Sequence, residues 1–270
     1  MANPAFNRNP AFSEKGGVAV APATPTAAEL EAHYGQPSAN AVDTDRMTVP
    51  DTIVKSVVSF VVLLAGASVG WMTYPAAPWL WMVAGVIGFV LALVNIFKRE
   101  PSAPLILAYA AAQGVFIGGF SLVFETIYPG IVIQAVVATF VVVGVTLALF
   151  ASGKIRASKK ATKVFLVAMV GYLVFSIVNV FVMIFGGANG NPWGLRGEDI
   201  PGTSIPWGIV IGILVVIMAA YSLVLDFDAI QQGVKNRAPR KYGWSGAFGI
   251  MVTVIWLYTE ILRIFAIARN

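Results

Sequence analysis

From residue 52 onward the chain alternates between long apolar runs and short polar breaks. Seven runs cover approximately 52–73, 79–97, 104–124, 130–151, 162–185, 206–228 and 247–268. Each is close to the ~20 residues that cross a ~30 Å hydrocarbon layer as a helix. Backbone groups in lipid find no water to bond, so each run is expected to be helical throughout. The pattern predicts an all-α membrane protein, a seven-helix bundle. Tight turns, "YPAAP" and "ETIYPG", join the first and third pairs, and a longer Gly/Pro-rich loop, "GGANGNPWGLRGEDIPGTSIP", joins the fifth run to the sixth. Residues 1–47 are rich in Ala, Pro, Asn and Gly and repeat "NPAF". They are expected to be a disordered cytoplasmic tail, leaving 48–270 as the membrane domain.

Composition agrees with lipid as the solvent. The chain is 58% hydrophobic and 11% charged with a mean hydropathy of +0.79, against ~45–50% apolar and ~25% charged in soluble domains. Its net charge of +5 therefore reads as topology. Counting Lys and Arg in alternate loops gives 13 on one side (Arg46, Lys55, Lys98, Arg99, Lys154, Arg156, Lys159, Lys160, Lys163, Lys235, Arg237, Arg240 and Lys241). The other side has 3: Arg196, Arg263 and Arg269. The basic side is expected to be cytoplasmic, together with the N-terminus. That bias explains the basic clusters without nucleic acid. Cysteine is absent and the single histidine, His33, lies in the tail, so a metal site would be built from carboxylates and would favour a hard cation such as Ca²⁺. Prolines interrupt "VAVAPATPTAAEL", so no cleavable signal peptide is expected.

Within the apolar runs the acids stand out. Asp226, Asp228 and Glu260 lie well inside, and Glu125 at the outer end of the third run. A charge at bilayer depth costs ~2.5–3.5 kcal/mol even on insertion scales, and such residues commonly serve ion or proton traffic. Asp226 and Asp228 project ~200° apart on a helix, so only one can face a given partner. Glu260 is the candidate partner. Two carboxyls in contact do not readily both ionise and are expected to share one proton, giving a pH-sensitive cation gate without histidine. The plainer alternatives are snorkelling of Asp228 near a helix end and a structural ion pair between Glu260 and Arg263 at i+3. Gly114 and Gly118 form a G-x-x-x-G suited to close helix packing, and Asn95, Gln113, Thr139, Asn179 and Thr253 read as interhelical hydrogen-bonders.

Four segments, "RMTVPDTIVKSVVSFVVLLAGASVGW", "AQGVFIGGFSLVFETIYPGIVIQAVVAT", "SLVLDFDAIQQG" and "GWSGAFGIMVTVIWLYTEILRIF", together resemble the Bax inhibitor-1 family, bacterial branch with a long N-terminal tail, over most of 46–270. The resemblance implies a seven-helix bundle with the last helix central and surrounded by the other six. It also implies an integral protein of the bacterial plasma membrane acting as a pH-sensitive Ca²⁺ leak channel, gated by an acid on helix six and one on helix seven. It implies no enzymatic activity and no cofactor besides Ca²⁺ as the transported or bound ion; lipid, Ca²⁺ and H⁺ are the partners. By motif the helix-six acid is Asp228 or Asp226, depending on which neighbour is matched, and the helix-seven acid is Glu260. A Ca²⁺ would then be held by Asp228 and Glu260, with Arg263 and Glu125 in support. Glutamate stands where the family usually has aspartate. The pair also requires the seventh helix to begin late or sit deep, with Gly243, Gly246 and Gly249 in an irregular start. A proton- or ion-coupled carrier of a small solute and a non-catalytic membrane scaffold are the competing functions. An intramembrane aspartyl protease is disfavoured, because its G-x-G-D motif is missing.

Overall fold

The computed structural model describes residues 26–28, 31, 45–186 and 191–269. The tail expected over 1–47 thus falls, but for those short pieces and 45–47, outside the described residues. Seven helices long and apolar enough to cross a membrane follow: α1 (Val49–Thr73), α2 (Leu80–Phe97), α3 (Ala103–Ile127), α4 (Ile131–Ala151), α5 (Lys159–Ile184), α6 (Trp207–Lys235) and α7 (Gly243–Ala268). Polar punctuation sets their ends. The Thr48 hydroxyl accepts from Asp51 N (3.2 Å) at the start of α1, and Ser158 accepts from Ala161 N (3.2 Å) at the start of α5. Both satisfy amide donors that the first helical turn leaves open.

The most buried span is α7. Met251, Leu257 and Leu262 have no exposed surface, whereas the outer faces of α2 and α5 carry large side chains such as Phe97 and Val167 turned outward, as lipid contact requires. The last helix is therefore central, packed against α6, α1, α4 and α3. It is not ringed by all six others at close range. α2 lies behind α3, and α5 reaches the centre through side chains and through the loop that follows it.

Missing side chains bring α1 and α3 together. A Cβ on Gly114 or Gly118 would run into the main chain of α1 at Leu63 and Ala67, and one on Gly66 or Gly70 would run into α3 at Ala111 and Val115. Two G-x-x-x-G faces interlock here, the small-residue crossing that substitutes for hydrophobic driving force in lipid.

On the basic side the chain before α1 clamps the loop before α7. Met47 N bonds Ala238 O (2.8 Å), Arg240 N bonds Asp45 O (2.9 Å), and Met47 packs under Gly233. Asp51 pairs with both Lys55 and Arg240. In the α2–α3 loop Glu100 meets Lys241 at 2.9 Å, and that hydrogen bond holds the Glu100 carboxyl below its ordinary range.

Candidate functional site: two polar centres on the central helix pair

α6 and α7 pack antiparallel in a register that glycines make visible. Gly208 faces Ile267, Gly212 faces Ile264, Gly246 faces Ile230, and Gly249 faces Asp226. The hydroxyls of Ser222 and Thr253 meet at 3.3 Å in the same register. Gly243, Gly246 and Gly249 thus lie in regular helix and serve close approach, not an irregular start.

This register separates the acids expected to pair. Asp226 accepts a hydrogen bond from Thr253 Oγ1 at 2.7 Å. Glu260 lies seven residues further along α7, level with the neighbourhood of Val215, and thus eleven residues from Asp226 along α6: roughly 16 Å of axial rise at ~1.5 Å per residue. α7 also begins at Gly243, earlier than 247, which carries Glu260 further from the basic end. The shared-proton pair of Glu260 with Asp226 or Asp228 is therefore not assembled, and neither is a Ca²⁺ site of Asp228 with Glu260. Among the described residues no cluster of three or more acids or histidines is placed to hold a metal.

What surrounds Glu260 is cationic. Its side chain is 1% exposed, Oε1 meets Arg196 Nη1 at 3.0 Å, and Oε2 meets Arg263 Nη1 at 2.7 Å. Tyr172 of α5 donates to Oε2 at 2.8 Å. The i+3 ion pair with Arg263 thus forms, and a second arginine completes it. Arg196 comes from the loop between α5 and α6, in a short 3-10 helix, Gly194–Gly197, that folds inward. Its guanidinium also donates to Tyr172 Oη (2.9 Å) and Ser176 Oγ (3.3 Å), and lies over the rings of Tyr172 and Phe175. Asn179 holds the loop in place, accepting from Leu195 N (2.7 Å) and donating to Trp193 O (3.1 Å). Two guanidinium groups against one carboxylate leave this buried cluster with a formal excess of one positive charge.

Asp226 has the opposite character. It is half-buried, Thr253 is its hydrogen-bond donor, and no ion pair among the described residues includes it. Gly249 makes room for it, since a Cβ there would stand 3.0 Å from Oδ1. A carboxylate has about four acceptor positions, and Thr253 fills one of them. Asp228 projects from another face of α6 and forms neither an ion pair nor a hydrogen bond among the described residues. Glu125 is no part of either centre. Its two oxygens accept from Gly130 N (2.6 Å) and Val132 N (3.0 Å), capping the positive end of α4.

Sequence reading overlooked Arg196, Tyr172 and Ser176. A signal was present: Tyr172, Ser176 and Asn179 fall at i, i+4 and i+7, a polar stripe along an otherwise apolar span.

Comparison with curated proteins gave no match. The family model described as Bax inhibitor 1 like matches residues 3–270, tail included. A seven-span bundle with this match over nearly its whole length is a membrane protein, and the chain belongs to the Bax inhibitor-1-like family.

Proposed function

We propose that the chain is a cation leak in the bacterial plasma membrane, with its N-terminus and basic loops cytoplasmic and Ca²⁺ as the ion carried. The reading gives it no catalytic role. One observation carries it: Asp226 is a carboxylate inside the bundle, on the basic-loop half, with a hydroxyl for company and no cation among the described residues to balance it. A lone negative charge in a low-dielectric surrounding attracts a cation much more strongly than one in water. Beyond it, towards the other side, the Arg196–Glu260–Arg263 cluster presents net positive charge and the inserted loop. A cation held at Asp226 is repelled there, so on this reading the leak is closed in this arrangement, and opening it requires Arg196 to withdraw. Protonation of Asp226 removes the attracting charge, so flux falls with falling pH. This places the proton-sensitive function on a single carboxyl where an acid pair was expected.

The test is Ca²⁺ efflux from liposomes containing the full chain, followed from about pH 4 to about pH 8 so that the titration of a carboxyl is covered. Asp226→Asn is expected to lower flux roughly tenfold, equivalent to ~1.4 kcal/mol of lost attraction, and to flatten the pH profile. Asp228→Asn is expected to leave both unchanged. An inert wild-type protein, or full flux in Asp226→Asn, refutes the proposal.

A further inference from the structure

A cleft of about 720 Å³ opens between α1 and α4 and reaches the central helix. Val61 and Leu64 form one wall and Val136 and Phe140 the other; Val61, Leu64 and Phe140 are largely exposed on the outer surface. The floor belongs to α3 and α7, where Ile250, Val254 and Tyr258 are reached. No charged side chain lines it. Four hydroxyls do, and each is already committed within the protein. Ser121 and Tyr258 bond each other at 2.6 Å, Thr139 donates to Ala135 O at 2.7 Å, and Ser68 donates to Leu64 O at 3.0 Å. The rest of the lining is apolar.

We infer that this cleft is a binding site for the acyl chain of a bilayer phospholipid. Three features select that occupant. The mouth lies along α1 from Val57 to Trp71, about four turns and ~21 Å of a spanning helix, so it faces hydrocarbon along its length. The lining offers dispersion contacts and few polar atoms, which suits an alkyl chain entering from lipid. Trp71 marks the end of the cleft near the end of α1, where an indole sits at headgroup level. The bound chain completes the packing around α7 that α1 and α4 leave open, and the site is distinct from both polar centres.

The full-length protein in phosphatidylcholine or phosphatidylglycerol liposomes is labelled with a phospholipid carrying a mid-chain diazirine, and the adducts are mapped by peptide. Adducts on Ile250 or Val254 of α7 are expected, because lipid that does not enter the cleft cannot reach these residues. Filling the cleft with Val61→Trp and Val136→Trp is expected to lower α7 labelling roughly tenfold while labelling of α2 and α5 stays constant. Val61→Trp alone, at a largely exposed position, gives a smaller loss and covers the case in which the double variant misfolds. An unlabelled α7, α7 labelling indifferent to either variant, crosslinked dimers through α1 and α4, or adducts from a free photo-fatty acid that excess phospholipid does not displace would each overturn the inference.

Discussion

α3 and α5 are both apolar spans of similar length, yet they join the bundle by opposite means. α3 is held by contact without side chains: Gly66 and Gly70 of α1 interlock with Gly114 and Gly118, main chain against main chain. α5 packs only lightly on α6, and Asn179 is its one buried residue. Its attachments are polar. Tyr172, Ser176 and Asn179 reach the Arg196 loop and Glu260, while at the basic end Tyr221 Oη meets Thr162 Oγ1 at 3.0 Å. In lipid, hydrophobicity does not distinguish a helix contact from a lipid contact, so each helix needs its own device. Backbone interlock is geometric and rigid. A polar tether depends on charge and holds only while every partner stays in place. α5 and the Arg196 loop are therefore the elements suited to move.

That contrast can be broken at three strengths. The strongest blow is Gly118→Leu, which drives a branched side chain into Ala67 of α1. A cost of ~3 kcal/mol or more is expected, read as loss of monodisperse protein in size-exclusion chromatography, and a fully stable variant would refute the interlock. Next comes Arg196→Met, which strands Glu260 with one cation. Arg263 still balances the carboxylate, so the loss is that of charge-assisted hydrogen bonds, ~1.5–3 kcal/mol. Hydrogen exchange should accelerate in α5 and in the loop but not in α3. Equal acceleration of α3 and α5 would erase the distinction. The smallest change is Tyr221→Phe, which removes one tether at the basic end. A loss of about 0.5–1.5 kcal/mol in thermal unfolding is expected, with exchange rising only near the start of α5.

Seven spans and their order were readable from apolar runs because hydrocarbon thickness fixes their length. Their ends were less readable. α6 continues through "AIQQGVK" to Lys235 and α7 starts at Gly243 rather than 247, because a helix persists beyond the hydrocarbon into polar surroundings. The glycine crossing of α3 was legible at Gly114 and Gly118, and its other half is the G-x-x-x-G of Gly66 and Gly70. The acids stood out individually, but their partners did not. Arg196 is 64 residues from Glu260, within a stretch of Gly, Pro and Asn that reads as an outer loop, and charge counting assigned it to water. Depth also misled: two acids on neighbouring spans suggest a pair, whereas antiparallel register alone decides whether they share a level. For Asp226 and Glu260 it puts them on different ones.

The stripe on α5 has a consequence for how the chain is made. Tyr172 finds Glu260 only after 88 further residues have been synthesised. At ~5–20 residues per second that is an interval of roughly 4–18 s. Until then the Tyr172 phenol lacks the carboxylate it donates to, whereas the Asn179 amide meets Trp193 and Leu195 soon after its own synthesis, so α7 is the span that finishes the cluster.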